Sequence, residues 1–106
     1  MKKELSAVIA VCFCLYGGVS IAESGLQKGE AKFKEHCALC HPDGGNIVNP
    51  AKTLHKKDRE KNHVMTETDI LKLVRNPGPG MTKFDKKSLS DADAKEIAEY
   101  IIQTFK

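Results

Sequence analysis

Aromatic side chains are scarce in this sequence. They make up 6% of its 106 residues, and tryptophan is missing altogether. A chain this short forms one domain and no more. With so few rings it cannot fill a sizeable core from its own side chains, so a staple or a bound group is expected. Charge of one sign is lacking too. The formal net charge is only +3, and 17 Lys+Arg are interleaved with 14 Asp+Glu. The dense basic stripe and groove-reading motif of a nucleic-acid binder are not there, so no nucleic-acid partner is expected. There is no Ser-His-Asp constellation, no paired-carboxylate site and no phosphate-cradling glycine loop in context. These absences argue against an independent hydrolase or transferase, and no enzyme activity is expected. No apolar run reaches the ~20 residues of an ordinary membrane span. No stretch alternates well enough to be a convincing strand, and no internal repeat is present.

What is there begins with a three-part amino terminus. Lys2 and Lys3 are basic, Leu5 to Tyr16 is apolar, and Ser20-Ile21-Ala22 supplies small residues at cleavage positions. This layout predicts a signal peptide over residues 1–22 and a mature domain over residues 23–106; a retained anchor is the alternative. Such a leader implies export, which in a bacterium means the periplasm. Association with a membrane surface stays open. After cleavage no stable membrane span is expected, and the product is expected to be a monomer. Cys12 and Cys14 would leave with the leader, so the exported chain keeps only Cys37 and Cys40.

The mature part reads as helices. Ser24-Gly25-Leu26-Gln27 has the pattern of a capping box and opens a segment carrying Leu26, Gly29, Phe33, Cys37 and Cys40 at helical spacing. Thr53 is expected to cap a short polar helix through Lys61. Thr66-Glu67-Thr68-Asp69 starts another, which should stop near Asn76 because Pro77 and Pro79 bias their predecessors away from the helix. Ser90 caps the last helix, whose apolar residues are Ala94, Ile97, Ala98, Ile101, Ile102 and Phe105. The fold class is therefore all-α, with long loops at 41–52 and 76–89 that imply something filling the space between them.

The decisive motif is Cys37-Ala38-Leu39-Cys40-His41. Two thiols three apart on a turn can add to the two vinyl groups of one haem, and the next residue places an imidazole under the iron. This C-x-x-C-H pattern is the c-type haem attachment signature. A thioredoxin-like pair would need a strand-helix-strand setting, a zinc site would need four ligands, and a plain disulfide would leave His41 without a role. Haem c, one per chain and covalently bound, is favoured over these three. The sixth ligand then decides between an electron carrier and an open, gas-binding site. Met65, Met81, His36, His55, His63 and the lysines are the candidates. Met81 is favoured because Asn76-Pro77-Gly78-Pro79-Gly80 combines stiff prolines with glycines that let the backbone approach a ring closely. The expected cofactor-binding set is thus Cys37, Cys40, His41 and Met81, with His41 and Met81 on the metal.

Residues 24–106 resemble the class I c-type cytochromes, most closely the small monohaem c6-like group of phototrophs and some metal-reducing bacteria. Gly29, Phe33 and the Cys37-to-His41 motif resemble that family's first helix. Gly44-Gly45-Asn46 through Val48 and Lys52-Thr53-Leu54 resemble the loop that follows. Gly80-Met81 and Phe84 resemble the axial-methionine loop, and Ile97-Ala98-Glu99-Tyr100-Ile101 the last helix. The resemblance implies a small cytochrome c fold of about four helices around one covalently attached haem. It also implies a close crossing of first and last helices at Gly29 and Tyr100. Thr82 departs from the family, where proline often follows the methionine. The implied function is one-electron transfer between redox protein partners, a donor and an acceptor, in a respiratory or photosynthetic-type chain. The alternatives are an electron-delivering subunit of a periplasmic redox enzyme and, beyond that, a gas sensor with a labile sixth ligand. Lys52 and Arg75 are candidates for pairing with propionates. The acceptor for the second nitrogen of His41 is expected between Asn46 and Pro50.

Overall fold

Helix α1 spans Ile21–His36, and its buried contribution is Phe33 together with Gly29. The structure is a computed structural model. It describes residues 21–106, with side chains from Gly25 onward. Nearly all of the expected leader, with Cys12 and Cys14, lies outside the described residues. The expected start of α1 at Ser24 is corrected: the helix already runs at Ile21, so Ser24 lies inside it. Residues 21–23 contain no helix breaker. The N–H groups that a cap would serve find carbonyls one turn back instead.

A single 3-10 turn at Pro42–Gly44 follows the motif. Helix α2, Lys56–Lys61, starts three residues after Thr53, and its N-cap residue His55 makes no side-chain bond. Thr53 acts just upstream: its hydroxyl accepts the His55 N–H and donates to the Asp58 carboxylate. Helix α3, Glu67–Arg75, begins as expected with a complete capping box. Thr66 Oγ1 accepts the Asp69 N–H, and the Asp69 carboxylate accepts the Thr66 N–H. It ends at Asn76, ahead of the prolines. Helix α4, Asp91–Thr104, is capped by Ser90, whose hydroxyl accepts the Asp93 N–H. The described residues hold these four helices and no β-strand, so the fold is all-α.

Helix α4 is the organiser. It packs against both α1 and α3. Ala94, Ile97, Ala98 and Ile101 recur three and four apart, and all four are buried with Phe33, Ile70, Val74, Leu89 and Phe105. Gly29 makes the α1–α4 approach possible. A Cβ there would run into the Glu96 carbonyl oxygen and lie 2.9 Å from Tyr100 Cβ. The Phe33, Tyr100 and Phe105 rings gather at this crossing, with centroids 5.4 to 5.7 Å apart. Leu54, Leu71 and Phe84 pack against this core only part-buried, and Leu26 is 38% exposed.

Candidate functional site

The motif sits on the turn by which α1 ends. Cys37 N–H still donates to the Phe33 carbonyl, and the Cys37 carbonyl then accepts from both Cys40 N–H at 3.1 Å and His41 N–H at 2.9 Å. That tightening brings Cys37, Cys40 and His41 onto one turn of backbone. Both thiols are free and part-buried, with no disulfide between them. Burial, helped by Cys40, pushes the Cys37 thiol up to about 11. A thiol so poorly ionised at neutral pH is the opposite of the activated thiolate of a redox pair. Among the described residues, no three His, Cys, Asp or Glu side chains come together as a metal cage, so a zinc site lacks its remaining ligands.

His41 is oriented by its own loop. Its Nδ1 lies 2.7 Å from the Gly45 carbonyl oxygen. A carbonyl can only accept, so Nδ1 carries a proton, and in the neutral ring Nε2 is then the nitrogen with the lone pair. The acceptor expected between Asn46 and Pro50 is therefore corrected to Gly45. The 3-10 turn after His41 folds the chain back one residue earlier than the glycine-rich sequence suggested. Gly44 accepts the Leu54 N–H at 2.7 Å, which closes the loop between them.

Met81 occupies a second loop, which is tied at its base. Phe84 N–H donates to the Val74 carbonyl at 2.9 Å. Arg75 Nη1 donates to the carbonyls of Phe84 and Leu89, and Nη2 to the Asp91 carboxylate. Arg75, a candidate for a propionate, is thus committed to holding this loop. Lys52 stays exposed. The loops approach each other at Gly80: a Cβ there would lie 2.9 Å from Val48 Cγ1. His36 packs edge-on against Phe84, with centroids 5.9 Å apart, while His55 lies edge-on to Phe105 and His63 is exposed.

One residue escaped sequence reasoning. Arg59 is only 3% exposed, and its guanidinium donates to the carbonyls of Leu54 and Phe105. Burial lowers its pKa. Its neighbours Lys56, Lys57, Glu60 and Lys61 are charged, so nothing local marks it out.

Apolar side chains face outward beside the motif. Leu39 is 86% exposed, Ile47 64%, Val48 57% and Met81 36%. Leu39 lies within the motif, Ile47 N–H donates to the Cys40 carbonyl, and Val48 Cγ1 lies 2.9 Å from where a Cβ on Gly80 would be. Isolated exposed apolar residues are ordinary, but several beside two free thiols and an oriented imidazole are what a flat apolar macrocycle with a central metal would cover. The residues present fit a haem.

Comparison with known proteins points the same way. Residues 24–101 match the family profile described as cytochrome c oxidase, cbb3-type, subunit III. The chain is 34% identical over 104 residues to cytochrome c6 of Cyanidium caldarium, covering 96% of this chain and 94% of that one. It is 36% identical to cytochrome c6 of Porphyra purpurea at the same coverage. Among solved structures, outer-membrane cytochrome F of Geobacter sulfurreducens superposes with a TM-score of 0.71 at 46% identity, over 74% of this chain and 99% of that one. Oxidised cytochrome c6A of Arabidopsis thaliana does so at 0.70 and 32% identity, over 74% and 88%.

Proposed function

Because this chain belongs to the cytochrome c6 family of small monohaem class I c-type cytochromes, electron carriers rather than enzymes, we propose that it is an exported one-electron carrier with His41 and Met81 as its iron ligands. The haem supplies the Fe(II)/Fe(III) couple. Cys37 and Cys40 attach it through thioether bonds, which keep it from dissociating outside the cell. His41 offers Nε2 to the iron while Gly45 holds the other side of the ring. Met81 offers its sulfur from the loop that Arg75 ties down. A soft thioether and an apolar surround both disfavour the more highly charged oxidised state and raise the potential. The observation that carries this reading is the 2.7 Å contact from His41 Nδ1 to Gly45, which fixes the tautomer an iron ligand needs.

No helix among the described residues is long and apolar enough to cross a membrane. This is in keeping with a carrier that diffuses between a donor and an acceptor. Lys83, Lys86 and Lys87 follow Met81 and are exposed, which suits an acidic face on the partner. The match to an oxidase-subunit profile favours a second reading, in which the chain delivers electrons within a fixed complex. Purification from its native membrane and periplasmic fractions separates the two. A carrier elutes alone, whereas a subunit co-elutes with its complex.

Carbon monoxide tests the closed iron site. The reduced holoprotein is expected to show no spectral shift when the gas is added. A rapid shift would replace the carrier reading with an open-site one.

A further inference from the structure

Two loops carry the proposed iron ligands, and different forces fix them. The bonds of Arg75 and Phe84 hold the base of the Met81 loop, not its tip. At the tip, Gly80 adopts φ +91°, a left-handed conformation that disfavours any side chain, and Val48 Cγ1 lies 2.9 Å from where a Cβ would be. Val48 is itself 57% exposed, so burial does not seat it. Asn46 does. Its Oδ1 accepts the N–H groups of Val48 at 2.9 Å and Asn49 at 2.8 Å, and its Nδ2 donates to the Lys52 carbonyl at 2.9 Å. One side chain thereby replaces three backbone partners across a loop with no regular structure. The residues beside Asn46 are anchored to the motif: Gly45 accepts from His41, and Ile47 donates to Cys40.

We propose that Asn46 is a positioning residue for Met81: by fixing Val48 against Gly80, it holds the tip of the methionine loop where the sulfur can stay on the iron. This rests on the reading of Met81 as an iron ligand. Asn46 touches neither the iron nor Met81. It acts through Val48 and Gly80, and it links the His41 loop to the Met81 loop.

The test uses the haem-loaded protein and three variants, Asn46→Ala, Asn46→Asp and Val48→Ala. The readouts are the sulfur-to-iron charge-transfer band of the oxidised form and the spectral shift when carbon monoxide is added to the reduced form. Wild type lacking the band would refute the Met81 reading itself, which separates that failure from failure of the positioning role. With the band present in wild type, Asn46→Ala is expected to lose most of it and to give a carbon monoxide shift in the reduced form where wild type gives none, because the loop tip loses the hydrogen bonds that seat it. Asn46→Asp keeps both accepted bonds and should keep most of the band. Val48→Ala leaves every Asn46 bond in place and should reproduce the Asn46→Ala change. An Asn46→Ala protein that melts earlier but keeps the wild-type band and gas response would overturn the proposal. So would a Val48→Ala protein indistinguishable from wild type, and that variant decides alone if Asn46→Ala fails to assemble.

Discussion

Gly29 shows how much one absent side chain can decide. A methyl group there meets the Glu96 carbonyl oxygen and the Tyr100 Cβ, atoms of a packed helix that cannot swing aside. Gly29→Ala is expected to destabilise the holoprotein by about 3 kcal/mol, the upper range for overpacking. Denaturant titration checks this, with a lower midpoint and an unchanged slope. That position was legible through the resemblance to class I c-type cytochromes, which implies a crossing of the first and last helices at a glycine and an aromatic residue. Arg59 was not legible. It sits in Lys56-Lys57-Asp58-Arg59-Glu60-Lys61, which reads as a solvated face, and its burial depends on the Phe105 carbonyl far along the chain. Removing it strands the Leu54 and Phe105 carbonyls, so Arg59→Ala is expected to cost about 2 kcal/mol. Arg59→Lys should rescue little, since an ammonium cannot reproduce the fork that spans both acceptors.

At the scale of elements, what the sequence announces is what is satisfied locally. The capping box of α3 and the Ser90 cap of α4 lie within four residues of their partners, and both stand where the sequence places them. The cap expected at Thr53 and the start expected at Ser24 do not, because neighbouring backbone there offers other partners. The Arg75 tie needs residues 9, 14 and 16 positions away, which no local pattern reveals. Acid should act on the α3 cap. The N–H groups of Thr66 and Met65 hold the Asp69 carboxyl below the usual carboxylate range. A depressed folded-state value contributes stability above the ordinary carboxylate pKa of about 4, and that contribution is lost as the pH falls through the folded value. Asp58, Asp85 and Asp91 are depressed as well, so they add to the same acid limb. Asp69→Asn is expected to lower stability at neutral pH and to flatten that limb. Denaturation midpoints of both proteins between pH 3 and pH 7, roughly the window of carboxylate titration, measure it.

The whole molecule returns to the scarcity of aromatic residues. Phe33, Phe84, Tyr100 and Phe105 are the rings among the described residues, and three of them cluster at one helix crossing. Leu39, Ile47, Val48 and Met81 instead face outward. On this account the largest ring of the core is the haem, and the chain without it is largely molten. The Cys37→Ala/Cys40→Ala protein is expected to give a near-ultraviolet circular dichroism spectrum with little fine structure; a native-like spectrum would refute this. If the exposed Lys83, Lys86 and Lys87 steer an acidic redox partner, as proposed, electron transfer to it should slow as salt is raised.

The central claim is that His41 and Met81 together hold the iron. The absorption spectrum of the oxidised holoprotein, compared with that of Met81→Ala, addresses it most directly. Wild type is expected to show a sulfur-to-iron charge-transfer band that vanishes in the variant while the haem remains covalently attached. A wild-type spectrum without the band, or a variant that retains it, would contradict the account.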